Sequence, residues 1–198
     1  MEEYKVLMLN GSPHKEGSTY TALSTVGEAL LASGVGYEII NVGTAPHRGC
    51  TVCLGCKSGG GCVIRDGVAE IGERLAAADG LIIASPVYYA SPNGNLISFL
   101  DRLFFSTKHI DKRMKVGASV VSARRGGCTA SFDALNKYFT ISGMPIASSS
   151  YWNMIHGTSR EEALRDAEGL SVMRTLGENM AYLIKAISHY KATEKERG

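Results

Sequence analysis

The chain has 198 residues, 44% of them apolar and 20% charged, enough for one domain with a proper core and too few to divide comfortably into two. Its 21 basic and 19 acidic residues are mixed along the sequence and leave a formal charge of +2, with no basic stripe of the kind that tracks a phosphate backbone, so nucleic acid is excluded as an expected partner. The start, Met1-Glu2-Glu3-Tyr4-Lys5, is neither a secretory signal nor a membrane span; a cytoplasmic protein with no membrane partner is expected, in which the five cysteines stay reduced.

Short aliphatic and β-branched runs at 5–9, 37–42, 81–84, 116–121 and 146–149 predict five strands. Their near-continuous apolar character fits strands covered on both faces, as in a parallel sheet. Helical stretches lie between them at 19–33, 68–78, 93–105 and 131–142, and a long C-terminal helix is expected over about 159–190. In that last stretch Leu164, Ala167, Leu170, Met173, Leu176, Met180, Leu183 and Ile187 recur at three- and four-residue steps, and Ser159 with Glu162 reads as a capping box. Strand and helix alternate throughout, which predicts a single doubly wound α/β domain over 1–198. The exception is an irregular Gly- and Cys-rich loop at 43–67, a length that is usually functional.

After the first strand comes Gly11-Ser12-Pro13-His14-Lys15-Glu16-Gly17-Ser18-Thr19-Tyr20, leading directly into helix. Small hydroxyl residues and glycines there expose backbone N–H groups at a helix N-terminus, a natural phosphate site, although Ser18 and Thr19 could equally serve as plain caps. The spacing matches neither the triphosphate loop nor the three-glycine dinucleotide fingerprint. The third strand runs into Ser85-Pro86-Val87-Tyr88-Tyr89-Ala90-Ser91-Pro92-Asn93. In open α/β sheets ligands bind beyond the carboxyl ends of the strands where strand order reverses, so these two loops should meet. A phosphate cradle beside two aromatic side chains describes FMN; the bland alternative for Tyr88 and Tyr89 is ordinary packing.

Leu9-Asn10-Gly11-Ser12-Pro13, Gly17-Ser18-Thr19, Ser85-Pro86-Val87-Tyr88-Tyr89 and Phe99-Leu100-Asp101-Arg102 together resemble the NADPH-dependent FMN reductase and iron-sulfur flavoprotein family, over about 8–157. The resemblance implies a flavodoxin-like fold, a five-stranded parallel sheet of order 2-1-3-4-5 with helices on both faces. It further implies that Ser12, His14, Ser18, Thr19 and Tyr20 surround the FMN phosphate, and that Pro86, Val87, Tyr88, Tyr89 and Asn93 lie along the ring. Relatives often carry Arg where this chain has His14, with Lys15 alongside. Ser122 and Arg124, in the loop after the fourth strand, are expected beside the flavin, where a cation stabilises its reduced anion; surface solvation is the alternative reading for Arg124 and Arg125. Tyr88, Arg124 and His156 are the candidates nearest the chemistry, His156 being either a proton donor or a structural histidine. Trp152, Asn153 and His156 are expected near a partner subunit's flavin in a homodimer or homotetramer.

Cys50, Cys53, Cys56 and Cys62 fall within thirteen positions, a strong sign of metal chemistry. The spacing resembles the motif that binds a 4Fe-4S cluster in iron-sulfur flavoproteins. Structural zinc, a metal-free redox thiol set and a vestigial loop stay open beside it. The family usually has two acidic residues after the last cysteine; here Asp66-Gly67 follows, with Asp66 expected to cap the next helix. Cys128 reads as a small buried residue. The expected function is an FMN-dependent oxidoreductase taking electrons from NAD(P)H or a small redox protein. The rivals are a carrier without its own substrate, a cluster-free quinone, azo or nitro reductase, and a zinc-stabilised interaction domain without flavin.

Overall fold

The computed structural model describes residues 4–197. Five strands build the sheet: β1 (Lys5–Asn10), β2 (Gly36–Asn41), β3 (Gly80–Tyr88), β5 (Val116–Ala123) and β6 (Met154–His156). They run parallel in the order β2-β1-β3-β5-β6, while β4 (Ser91–Pro92) folds back antiparallel on the end of β3. Leaving β4 aside, the five parallel strands stand in the expected 2-1-3-4-5 order.

The apolar runs form strands here because both faces of the sheet are covered, and successive side chains serve opposite cores. Val6, Met8, Ile82 and Ala84 point to one core, shared with α1 (Ser18–Ala32) and α6 (Ala167–Arg197). Leu7, Leu9, Leu81 and Ile83 point to the other, against α2 (Val68–Ala77), α3 (Gly94–Ser106) and α4 (Cys128–Ile141). At Gly177 of α6 a Cβ would sit 2.6 Å from the Val26 carbonyl oxygen, so the absence of a side chain lets α1 and α6 pack at backbone distance. Among the described residues no helix is long and apolar enough to cross a membrane.

Two expectations need correction. The fifth strand is not at 146–149: Ile146 makes only an isolated bridge to Gly117, and the paired edge strand is β6. The serines after Ile146 turn to α6 instead, with Ser149 Oγ donating to Val172 O (2.6 Å) and Ser148 O accepting from Asn179 Nδ2 (2.8 Å). Buried Asn153 then stitches the chain back to β5, its Nδ2 donating to Ser119 O (3.0 Å). The long C-terminal helix is also broken, into α5 (Arg160–Ala163) and α6. Asp166 makes the break by accepting from Gly169 N (3.0 Å) and His156 N (2.7 Å), which caps α6 and ties it to β6. Leu164 and Ala167 consequently leave the buried stripe and are exposed.

Candidate functional site

Three loops converge at the carboxyl edge of the sheet. The first is organised by Asn10, fully buried at the end of β1. Its Oδ1 accepts from Ser12 N (3.1 Å), and its Nδ2 donates to Asn41 Oδ1 (2.8 Å) and Lys15 O (3.3 Å). Ser12 Oγ in turn accepts from His14 N (3.1 Å). Helix α1 then opens at Gly17 with no side-chain cap and no acidic residue in its first turn. Neither Ser18 nor Thr19 caps it. Unsatisfied N–H groups and the positive helix end therefore face the loop, the arrangement that binds an anion.

The hydroxyls of Ser18 and Thr19 are used to lock the neighbouring loops instead. Ser18 Oγ lies 3.0 Å from both the Gly157 and Ser159 carbonyl oxygens, to which it donates. Thr19 Oγ1 and Ser122 Oγ are 2.8 Å apart and buried. The second loop is the β3–β4 hairpin, in which Val87 pairs with Pro92 and Tyr88 with Ser91. Its two-residue turn, Tyr89-Ala90, has φ of 50° and 59°, left-handed values that a non-glycine pair adopts only under strain. The third loop follows β5 and opens α4 at Gly127, whose φ is 89°. A Cβ there would lie 2.8 Å from Ala90 Cα and 3.0 Å from Val87 Cγ1, so hairpin and helix meet backbone to backbone.

These loops enclose an open cleft of about 290 Å³, close to the lower end of small-molecule sites. Ser12, His14, Ser18 and Thr19 line one end; Pro86, Val87 and Tyr88 another; Ser122 and Arg124 the third. No acidic side chain is among the described residues lining it. Nine of the expected cofactor residues are thus brought together. Tyr20, Tyr89 and Asn93 are not on the cleft wall. Tyr89 stands fully exposed at the hairpin tip, and Asn93 caps α3 through Oδ1 and Asn95 N (2.8 Å). His156 lines a separate cavity with Tyr151 and Asp166, its Nε2 3.2 Å from Arg125 O. Trp152, half exposed, packs its ring edge-on to Tyr151, and Asn153 is the buried tie to β5. Sequence reasoning missed Gly157 and Thr158, which complete the rim between β6 and α5. Their signal was the Ser159 helix start directly after a strand.

The cysteine loop lines a different cavity. Cys50, Cys53, Cys56 and Cys62 are all free thiols, and all four line one small cavity of about 20 Å³, walled by Leu54, Val63 and Phe105. Val52, Leu54, Gly59 and Gly61 have positive φ, so the chain curls through left-handed conformations between the cysteines. No group of three or more His, Cys, Asp or Glu among the described residues is placed to hold a single metal ion. Cys128 lies apart, buried at the start of α4, where burial pushes its thiol up from the usual value.

Asp66 does not cap α2, which starts at Gly67 without a side-chain cap. It faces Arg102 of α3 in a two-pronged ion pair: Nη1 donates to Oδ1 (3.0 Å) and Nη2 to Oδ2. His47 Nδ1 also lies 3.3 Å from Oδ2, while His47 Nε2 is 3.0 Å from Val42 O. Partial burial pushes the Asp66 carboxyl up, but the hydrogen bonds and charges of Arg102 and His47 outweigh it and hold the group below the ordinary carboxylate range. Burial likewise pushes Arg102 down, and the bonds and charge of Asp66 more than restore it.

The family relationships agree with this geometry. The model of the NADPH-dependent FMN reductase family matches residues 4–159. An iron-sulfur flavoprotein of Methanocaldococcus jannaschii is 30% identical over 190 residues, covering 92% of this chain and 98% of its own. Another from Methanosarcina thermophila is 26% identical over 187 residues, with 92% and 96% covered. Among solved structures, an archaeal flavodoxin superposes with a TM-score of 0.62 at 15% identity, covering 91% of this chain and 99% of its own. A WrbA-like flavodoxin from Agrobacterium tumefaciens gives 0.63 at 18%, with 93% and 99% covered. At those identities the structures speak for the flavodoxin-like fold alone, and it is the family model over residues 4–159, with the 30% identical relative, that places the chain in the NADPH-dependent FMN reductase family, as an FMN-dependent oxidoreductase.

Proposed function

We propose that the chain works as a single FMN-binding domain in the cytoplasm, taking electrons from NAD(P)H or a small redox protein, with a 4Fe-4S cluster in its cysteine loop. The observation that carries this reading is the meeting of three loops around the uncapped start of α1, beside an aromatic hairpin and with no acid on the wall. Ser12, His14 and the first N–H groups of α1 would hold the phosphate. Pro86, Val87 and Tyr88 would line the flat ring and keep water from it, and Arg124 would offset negative charge on the reduced form. FMN supplies reversible one- and two-electron chemistry when bound.

The donor set of the cysteine loop supports an iron-sulfur group: four free thiols border one apolar-walled pocket, with a buried cation in the wall. Such a cluster exchanges single electrons. Half-exposed Tyr88, Tyr151 and Trp152 and fully exposed Tyr89 support a homodimer or homotetramer formed near the flavin edge. One observation favours a second reading, a cluster-free quinone, azo or nitro reductase: no described ligand group is placed for a single metal ion.

Anaerobic purification followed by flavin, iron, sulfide and zinc assays on one sample separates the two. About four iron and four sulfide per chain with one FMN supports the first, and FMN alone supports the second. A colourless protein refutes both. Ser12→Glu with Ser18→Glu places negative charge in the phosphate cradle and is expected to abolish FMN retention while the chain still folds; full FMN content in that variant would sink the site assignment.

A further inference from the structure

Arg102 is the largest fully buried side chain of the described residues, with 2% of its surface exposed. A guanidinium is buried only where its charge and donors are used. Asp66 takes one N–H from each terminal nitrogen. Nη1 has a further contact, to Cys62 Sγ at 3.7 Å. Nε is buried with no partner at all, and the side chain forms part of the wall of the four-cysteine cavity. A planar fork can grip a carboxylate and still offer N–H groups to a neighbouring acceptor; a lysine ammonium presents a single point.

Asp66 is itself held from behind by His47, whose ring is fixed on Val42 O and packs edge-on to Phe99 with centroids 4.9 Å apart. The guanidinium is therefore clamped in place by three separate segments, the end of β2, the stretch before α2, and α3. Nη1 borders the Cys62 sulfur, and Nε, a buried donor without a partner, calls for an acceptor.

Resting on the cluster reading above, we propose that Arg102 is the positioning and tuning residue of the cysteine centre: it donates to Cys62 and to the sulfur-rich group held there, raising that group's reduction potential and its retention. The sign follows from charge. Each electron taken up adds negative charge beside a fixed cation and its N–H donors, which stabilise the reduced form more than the oxidised one.

The test is an anaerobic potentiometric titration of the holoprotein and its Arg102→Lys and Arg102→Met variants, with iron, sulfide and FMN counted in each. Arg102→Met is expected to move the cluster potential to more negative values and to lose iron to a chelator roughly 10–100-fold faster. Arg102→Lys keeps the charge and recovers part of the potential. If Arg102→Met does not fold, Arg102→Lys and Asp66→Asn carry the test, the second by releasing the fork from its anchor. Loss of iron with one FMN per chain retained supports the proposal. Variants with full iron and an unchanged potential overturn it, and so does joint loss of iron and FMN from Arg102→Lys, which would mark Arg102 as structural only. Iron-free wild-type protein would refute the cluster reading and this proposal together.

Discussion

Gly127 couples the third loop to the hairpin, and replacing it by alanine should damage stability and FMN affinity at once. Its φ of 89° lies in the left-handed region, which costs an L-residue about 1–2 kcal/mol. The added Cβ would also press on Ala90 Cα at 2.8 Å and Val87 Cγ1 at 3.0 Å, and relieving that overlap costs about 1–3 kcal/mol. The sum, about 2–5 kcal/mol, corresponds to a fall in Tm of roughly 4–20 °C for a chain of this size. Because Val87 lines the cleft, part of the displacement reaches the wall of the proposed flavin site, and a rise in FMN Kd of about tenfold, or ~1.4 kcal/mol, is expected. Gly126 is the control: a Cβ there meets nothing within 4 Å, so Gly126→Ala should stay within about 0.5 kcal/mol of wild type. Quenching of flavin fluorescence by apoprotein gives Kd, and thermal melts give Tm. If Gly127→Ala and Gly126→Ala behave alike in both assays, the backbone-contact argument is wrong.

Two further predictions concern the same framework. Thr19→Val leaves the Ser122 hydroxyl without its partner, at a cost of about 1–3 kcal/mol with weaker FMN binding; a melt within about 0.5 kcal/mol of wild type would refute it. The Asp66 carboxyl is held below its ordinary range, so its contribution to stability is present above the unfolded value of about 3.9 and is lost as pH falls through the lower folded value. Melts between about pH 5 and pH 2 should show an acid limb in wild type that is shallower in Asp66→Asn, and identical limbs would remove Asp66 as its source.

The three central strands were legible because β1, β3 and β5 are buried on both faces and read as unbroken apolar runs. The edge was not. At 146–149 the apolar residues give way to serines whose hydrogen bonds go to α6, and only the tertiary position of Asn153 reveals where pairing resumes. The break at Asp166 was hidden because the apolar spacing continues through Leu164 and Ala167 without interruption. Hydroxyl and glycine residues at strand ends pointed to loops that do line one cleft, yet Ser18 and Thr19 bind neighbouring loops through their hydroxyls and leave the helix end open. Tyr89 was expected along the ring from the resemblance carried by the Ser85–Tyr89 run. A two-residue hairpin turn sends it to solvent. That the four cysteines share one loop was readable from spacing, and they line one small cavity, whereas Arg102, Asp66 and His47 come from three separated segments and meet only in the fold.

Helix α3 explains how 25 residues of mostly irregular chain between Gly43 and Gly67 are held at all, since ordering them carries an entropic penalty that no sheet or long helix offsets locally. It grips the stretch near both ends. At its first turn Asn95 Oδ1 accepts from His47 N and Asn95 Nδ2 donates to Ala45 O, each at 2.7 Å. Two turns on, Arg102 holds Asp66. The same helix starts at Asn93, whose N–H donates to Ser85 Oγ at 2.9 Å on the strand that feeds the β3–β4 hairpin. Asn93 and Arg102 are nine residues apart, a rise of about 14 Å along one rigid axis, so cleft and cysteine cavity share a frame and do not hang on the loop between them. The two grips should then be separable. Asn95→Ala removes two hydrogen bonds and should cost about 1–3 kcal/mol. Hydrogen exchange should accelerate at the amides of 44–48 while those of 62–66, held by Arg102, keep their protection. Equal acceleration across the whole stretch would show that the loop opens as one unit, and that α3 does not clamp it at two points.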